Sequence, residues 1–142
     1  MNSIATYQLT IPASTNFLAE VRNFVELHAK EHGFTETDIH DVRLAVDEAV
    51  TNIIKHAYNF DDSKEIEVEM EFNEEELHVS LSDTGKNFEL KSLKQPDIRE
   101  YAKQKKRGGM GLYLIHTLMD EVKYQRKNGR NEIKMFKQRS NS

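Results

Sequence analysis

The sequence contains no cysteine, no tryptophan, only two prolines and only six glycines in 142 residues. Without cysteine, the chain has no disulfide, no thiolate metal ligand and no cysteine nucleophile. No apolar run approaches the roughly 18 residues of a membrane-spanning helix. The first residues also lack the basic start and the apolar core of a signal peptide. We therefore expect a cytoplasmic protein that has no membrane partner.

The length favours a single domain over residues 1–142, with a core of useful size. Charged residues make up 31% of the chain and the formal net charge is −4, which argues against direct nucleic-acid binding. The charge reverses locally between Lys86 and Arg107, where eight basic side chains face three acidic ones. Such a segment either attracts an anion or is a solvated loop.

The stretch from Asp38 to Tyr58 predicts a long helix with two different faces. Its apolar residues recur at steps of three and four: Val42, Val46, Ala49, Val50, Ile53 and Ala57. Glu48, Asn52 and His56 stand four residues apart and therefore stack on another side of the helix. A carboxylate, a carboxamide and an imidazole in one row either serve chemistry or form an ordinary solvated face.

The N-terminal half predicts one strand before that helix, a second helix, and a hairpin after it. Alternation predicts a strand over residues 4–11, and helical spacing from Phe17 predicts a helix that Gly33 ends. Thr35 and Asp38 have the spacing of a capping box. Two alternating runs, residues 65–72 and 77–82, predict an antiparallel hairpin whose glutamates form its solvated face.

The C-terminal half predicts a third helix and a final hairpin. The spacing of the third helix comes from Leu112, Ile115, Leu118, Met119 and Val122. The final hairpin pairs residues 121–126 with residues 132–137, and Asn128-Gly129 is a strong two-residue turn signal between them. A helical piece over residues 97–106 is the only element that we expect in the long basic loop.

Four of the six glycines, Gly85, Gly108, Gly109 and Gly111, lie at the two ends of the basic loop. Glycine lets the backbone approach a ligand closely, and the run from Gly108 to Gly111 directly before a helix would direct N–H groups at an anion. The run is neither a Walker loop nor a dinucleotide fingerprint. Asp83, at the end of a predicted strand, is either a turn former or an acceptor for an exocyclic amine.

Three motifs occur in order: Glu48-xxx-Asn52-xxx-His56-Ala-Tyr, Asp83-x-Gly85-xx-Phe88, and Gly109-x-Gly111-Leu-x-Leu114-Ile. Together they resemble the N, G1 and G2 boxes of the ATP-binding fold shared by gyrase, Hsp90, histidine kinases and MutL. Within that superfamily the chain is similar to the small stand-alone serine/threonine kinases that act as anti-sigma factors. The resemblance covers essentially the whole chain. A classical histidine kinase would carry a dimerisation helix ahead of this domain, which we do not expect here.

The resemblance implies a two-layer α/β sandwich, the Bergerat fold, with a mixed and mostly antiparallel sheet covered by helices on one face. It also implies roles for four residues in the first two boxes. Asn52 would bind Mg²⁺ that bridges the ATP phosphates, Asp83 would accept the adenine amino group, and Gly85 would pack beside the ring. Glu48 would act as general base on the attacking hydroxyl. We assign His56 a structural role.

The same resemblance makes the basic loop an ATP lid. The lid and helix residues that it implies in nucleotide binding are Lys106, Arg107, Gly108, Gly109, Met110, Gly111 and Leu112. The chain departs from the superfamily pattern at two places. Lys86-Asn87 stand where a second glycine is common, and Asn131-Glu132 stand where many members carry a threonine that reaches adenine through water. No adenine contact is assigned to the last hairpin.

Two functions are compatible with these motifs. The first is a protein serine/threonine kinase that uses ATP and Mg²⁺, phosphorylates a STAS-domain anti-anti-sigma partner and sequesters a sigma factor. The second is an ATP-binding interaction module that transfers little or no phosphate. Glu48 favours the kinase, because a protein that only binds ATP needs no base at that position. The family often forms homodimers, and we expect one here.

Overall fold

A computed structural model describes residues 4–86 and 111–140. Its five-stranded sheet has the order β1-β2-β3-β5-β4. The strands are β1 (Ala5–Pro12), β2 (Glu65–Phe72), β3 (Glu76–Asp83), β4 (Glu121–Lys127) and β5 (Arg130–Gln138). The α-helices are α1 (Leu18–Glu31), α2 (Glu36–Asn52) and α3 (Gly111–Leu118). The helical piece predicted over residues 97–106 lies outside the described residues.

The core lies between the helices and one face of the sheet. In β2 the apolar residues are buried and the glutamates between them are exposed or half-buried, so the predicted alternation is confirmed. The whole apolar stripe predicted for the long helix, from Val42 to Ala57, is buried as well. Each valine and isoleucine of the stripe contributes roughly 1.5–3 kcal/mol by leaving water. The predicted two-layer α/β sandwich is thus confirmed. Every described strand pairing is antiparallel, so the parallel pairing of the predicted mixed sheet does not occur among the described strands. No helix of the described part is long and apolar enough to cross a membrane.

Helix α1 begins and ends at the residues that favour these positions. The Ser14 hydroxyl oxygen accepts from the Asn16 N–H at 3.2 Å and starts a 3₁₀ turn, Thr15–Phe17, that leads into the helix. Gly33 follows the helix with a φ of 77°, a left-handed conformation that glycine adopts without steric cost. The predicted bounds of this helix are therefore confirmed to within one turn.

Helix α2 begins with half of the predicted capping box. The Thr35 hydroxyl oxygen accepts from the Asp38 N–H at 3.1 Å. The Asp38 carboxylate, in contrast, accepts from the N–H of Ser140 at 3.0 Å and from its hydroxyl at 2.7 Å. The buried carboxylate therefore joins the start of α2 to the end of the chain's last described segment, an interaction that local spacing does not reveal.

The last turn of the long helix is widened into a π-helix over Ile53–Ala57. The N–H of Tyr58 donates to the Ile53 carbonyl oxygen at 3.0 Å, five residues back. Asn59 and Phe60 then both adopt positive φ values, of 50° and 63°. The predicted end near Tyr58 is confirmed, but the spacing of apolar residues does not distinguish a π turn from an α turn.

The prediction that Val122 belongs to the third helix is wrong. Helix α3 ends at Leu118, and Val122 lies in β4 opposite Met135 of β5. Val122 fits both the helical spacing and the alternation of a strand. Its backbone pairs with β5, so it belongs to β4. The predicted turn is confirmed: Asn128 and Gly129 have φ values of 55° and 75°, as a type I′ turn requires.

Candidate active site

The row of polar residues predicted on the long helix lies at the C-terminal end of α2. Asn52 is the last residue of α2, and Glu48 lies one turn, about 6 Å, before it. Both are half-buried, whereas His56 is exposed in the π turn. Asp47 is held by the Arg22 guanidinium at 2.8 Å. No described hydrogen bond or ion pair involves Glu48, so its carboxylate is available for chemistry.

The carboxamide of Asn52 has an unmet hydrogen bond. Its Nδ2 is buried and finds no partner within residues 4–86 and 111–140. Such a group typically costs about 1–3 kcal/mol. A half-turn of the amide would present its oxygen instead, and the two ends cannot be told apart except by their partners. Asn52 therefore holds a buried polar end that a ligand could complete.

A backbone contact docks the turn over residues 83–86 against this helix end. The Lys86 N–H donates to the Ala57 carbonyl oxygen at 2.8 Å. A Cβ on Gly85 would lie 2.3 Å from that oxygen and 2.6 Å from the carbonyl carbon. Glycine is thus needed at position 85 because two backbones approach each other closely. The contact brings the G1 turn beside the end of α2.

Tyr58 fixes the same turn from inside the core. Its buried hydroxyl donates to the Glu65 carbonyl oxygen at 2.6 Å and accepts from the Thr84 N–H at 2.8 Å. The phenol therefore ties the start of β2 to the end of β3. Because the backbone groups of the turn are held in this way, the Asp83 side chain that precedes them is fixed in place.

A row of three polar side chains crosses the sheet beside this turn. The strand registers set Asp83 opposite Asn131, and Asn131 opposite Arg126. Asn131 donates from Nδ2 to Asp83 Oδ1 at 2.8 Å, and its Oδ1 accepts from Arg126 at 2.6 Å. The N–H of Gly85 also donates to Asp83 Oδ1, at 2.9 Å. Both described hydrogen bonds of the carboxylate therefore end on the same oxygen.

The electrostatics of Asp83 reflect this position. The residue is 3% exposed, and burial raises the pKa of its carboxyl above the ordinary value. The hydrogen bonds from Asn131 and Gly85 and the charge of Arg126 oppose that rise, because they favour the ionised form. Asp83 is thus a buried hydrogen-bond acceptor, and its ionised form is stabilised by Asn131, Gly85 and Arg126.

A family model described as the histidine kinase-like ATPase domain matches residues 11–137. The chain belongs to this family. Serine-protein kinase RsbW of Bacillus velezensis is 38% identical to this ATPase domain over 132 residues, which cover 89% of this chain and 82% of that protein. The RsbW of Listeria monocytogenes is 40% identical over 119 residues, covering 81% and 76%. The RsbW of Bacillus subtilis is 35% identical over 135 residues, covering 91% and 84%. The ATPase domain thus groups with the RsbW kinases.

Two solved structures have the fold of this ATPase domain. The RsbU and RsbW domains of a Mycobacterium tuberculosis protein align with a TM-score of 0.69 and 19% identity over 97% of this chain, which spans 33% of that one. The SiaB-SiaC complex of Pseudomonas aeruginosa aligns with a TM-score of 0.67 and 16% identity, covering 94% of this chain and 89% of that one. At such low identities the likeness concerns the fold.

The described part of the ATPase domain holds the first box of the predicted site and Asp83 and Gly85 of the second, whereas Phe88 lies outside the described residues. Glu48, Asn52, Asp83 and Gly85 lie on two elements that meet at the Ala57–Lys86 hydrogen bond. Of the third box, Gly111 is the first residue of α3 and Leu112 follows in its first turn. The predicted residues Lys106, Arg107, Gly108, Gly109 and Met110 lie outside the described residues.

Tyr58, Arg126 and Asn131 of the ATPase domain are site residues to which sequence reasoning gave no role. The Asn128-Gly129 turn already implies that Arg126 faces Asn131, because a two-residue hairpin sets the register of its strands. The pairing of β3 with β5 has no such local signal. Asp83 and Asn131 are 48 residues apart in the chain, and only the sheet brings them together.

Gly85→Ala should lower the free energy of unfolding of the ATPase domain by about 1–3 kcal/mol in urea denaturation, because the added carbon overlaps the Ala57 backbone. It should also remove the thermal stabilisation by Mg-ATP. Gly129→Ala is the control: its Cβ would meet nothing within 4 Å, so only the positive φ opposes it. Equal stability of wild type and Gly85→Ala would contradict the close approach.

Proposed function

We propose that this chain is an ATP-dependent protein serine/threonine kinase that acts as an anti-sigma factor. Its substrate is a serine or threonine hydroxyl of a STAS-domain anti-anti-sigma partner, and it sequesters a sigma factor when that partner does not compete. The observation that carries the proposal is the position of Glu48 one turn before Asn52, beside a docked turn that holds Asp83; no hydrogen bond or ion pair within residues 4–86 and 111–140 involves Glu48. Family membership supports the same activity.

Asp83 recognises the adenine ring in this proposal. Its Oδ1 already accepts from Asn131 and Gly85, so Oδ2 is the oxygen that accepts from the exocyclic amino group. The low exposure of the carboxylate strengthens this hydrogen bond, because water competes little for it. Gly85 keeps the turn close against the helix end, where the Ala57 backbone occupies the space that a Cβ would take.

The residues of the site suit Mg²⁺. The described residues contain no cluster of three or more histidine, aspartate or glutamate side chains that could hold a metal. In this proposal the Asn52 carboxamide would supply an oxygen ligand to the ion. Mg²⁺ accepts such a site, since it is usually bound by one or two protein ligands together with phosphates and waters. When bound, the ion neutralises charge on the phosphates.

Glu48 is the general base. It accepts the proton of the attacking hydroxyl while the bond from that oxygen to the γ-phosphorus forms and the bond to the β–γ bridging oxygen breaks, which releases ADP. Because Glu48 and Asn52 are one turn apart on a rigid helix, the base and the phosphates are held on the same side of α2. Positioning and charge stabilisation supply most of the rate in phosphoryl transfer.

The basic loop completes the nucleotide site in this proposal. The side chains of Lys106 and Arg107 contact the γ-phosphate, and the backbone amides of residues 108–112 hold phosphates at the start of α3. We also propose that the protein works as a homodimer in the cytoplasm, where sigma factors act. None of these assignments depends on direct contact with nucleic acid.

The test is transfer of label from γ-labelled ATP to a STAS-domain protein encoded in the same genome. We expect Mg²⁺-dependent label on a serine or threonine of the STAS domain, and none after alanine replaces that residue. Addition of EDTA should stop the reaction. ATP binding without transfer to any STAS protein would reject the kinase and favour the alternative function, an interaction module that responds to nucleotide.

A further inference from the structure

The orientation of the Asn131 carboxamide is determined by its partners. Its Nδ2 faces three acceptors, Asp83 Oδ1 at 2.8 Å, the Lys86 carbonyl at 3.0 Å and the Gly85 carbonyl at 3.2 Å. Its Oδ1 faces the Arg126 guanidinium, which can only donate. The flipped amide would set an oxygen against three oxygens and an NH₂ against a cation. Asn131 is therefore locked as a donor to Asp83.

This lock decides where a proton can sit on Asp83. The N–H groups of Asn131 and Gly85 both donate to Oδ1. A proton on that oxygen would be repelled by their hydrogens. The ionised carboxylate thus presents Oδ2 to a ligand purely as an acceptor. A protonated Asp83 must carry its proton on Oδ2, where it would be a donor. The two forms have opposite hydrogen-bonding character toward a ring substituent.

We propose that Asn131, oriented by Arg126, is the positioning residue that makes this pocket select a 6-aminopurine over a 6-oxopurine nucleotide. The inference rests on the proposed function, in which Asp83 faces the purine. A 6-amino group donates to the Oδ2 that this arrangement keeps as an acceptor. A 6-oxo group meets it as a second acceptor and is rejected. Without the Asn131 donor, the ionised form of Asp83 loses stabilisation and the carboxyl can rotate.

The Arg126 guanidinium holds the polar row at two points. Asn131, which accepts from Arg126, donates directly to the Asp83 carboxylate. Arg126 also donates to the Gly85 carbonyl at 3.2 Å, so the same guanidinium steadies the turn and the carboxamide. The other charged groups lining the recess beside Asp83 are Lys64, Glu65, Glu67 and Arg130. Glu67 and Arg130 are paired with each other.

The experiment is calorimetric titration of Mg-ATP and Mg-ITP, whose rings differ in the 6-amino or 6-oxo group and in the N1–H that accompanies the 6-oxo form. Wild type should prefer ATP by at least about 100-fold, since buried polar groups strongly reject a mismatched partner. Asn131→Leu should cut this preference to below about tenfold, through weaker ATP binding and stronger ITP binding. Asn131→Thr, which keeps a hydroxyl donor, should retain most of the preference.

A pH series separates positioning from a merely structural role. Burial already holds the pKa of Asp83 above its ordinary value, so the wild-type preference should decline as the pH is lowered toward that pKa. Asn131→Leu should move this decline to higher pH, and Arg126→Gln should move it in the same direction. Arg126 is exposed, so this second variant keeps the test available if Asn131→Leu does not fold.

Gln125→Leu is the matched control. Gln125 is exposed on β4 next to Arg126, and its side chain projects from the face of the sheet opposite to that of Arg126 and Asn131. It should bind both nucleotides as wild type does. If Asn131→Leu weakens ATP and ITP by the same factor at every pH, Asn131 is only structural and the inference is wrong while the kinase proposal stands. A wild-type protein that binds neither nucleotide would overturn both.

Discussion

Glu48→Gln should reduce phosphate transfer to the STAS-domain partner by about 10²–10⁴-fold, the usual contribution of a positioned general base. Its affinity for Mg-ATP should stay within about twofold of wild type, because the amide keeps the size of the side chain and no described interaction of Glu48 is lost. A fall in transfer without a fall in binding separates the proton acceptor from the nucleotide site.

The measurement is single-turnover transfer from labelled ATP, with nucleotide affinity taken from titration of the same preparations. Glu48→Asp should give an intermediate rate, since it keeps the base but withdraws it by one methylene. Glu20→Gln removes an exposed carboxylate from α1 and serves as the matched control. Transfer by Glu48→Gln at close to the wild-type rate would exclude Glu48 as the base.

Asn52→Asp should abolish most of the rise in melting temperature that Mg-ATP produces in the wild type. A ligand at 100 times its dissociation constant stabilises a protein by about 2.7 kcal/mol, so the wild-type shift is readily measured. The substitution adds a negative charge beside the phosphates and one turn from Glu48, where like charges repel. It also replaces the neutral amide whose buried end has no described partner.

Asn52→Ala provides the complementary test. Because the Nδ2 atom is buried without a partner in the described part of the chain, its removal should leave the ligand-free melting temperature equal to or above that of the wild type. The Mg-ATP shift should nevertheless be lost. Asn23→Asp, on the exposed side of α1, is the matched control for added charge. A full Mg-ATP shift in Asn52→Asp would reject the metal assignment.

Together, Glu48→Gln and Asn52→Asp distinguish a kinase from an ATP-dependent interaction module. Loss of transfer in Glu48→Gln with binding retained would establish chemistry at the helix face. If the wild type transfers no phosphate, and Asn52→Asp loses the rise in melting temperature with Mg-ATP, the protein is a nucleotide-dependent interaction module. The position of both residues on one rigid helix makes the comparison direct, because neither change should alter the backbone of α2.

Local patterns predicted most of the architecture. The glutamate–apolar alternation of β2, the apolar stripe of α2 and the Asn128-Gly129 turn each depend on side-chain periodicity or on a conformation that few residues adopt. Such signals are local, so the described strands, helices and final hairpin could be placed from the sequence to within about one turn, with Val122 as the exception. The order of the motifs likewise indicated the ATPase family.

The sequence alone determined the elements of this protein, its family and the residue types of its site. Only the tertiary structure decided that Val122 belongs to a strand, that the last turn of the long helix is a π turn, and that Gly85 must approach Ala57. It also decided that Asn131 reaches Asp83. The physical reason is common to these features: each depends on which distant backbones pack together, and periodicity along one segment carries no information about its neighbours.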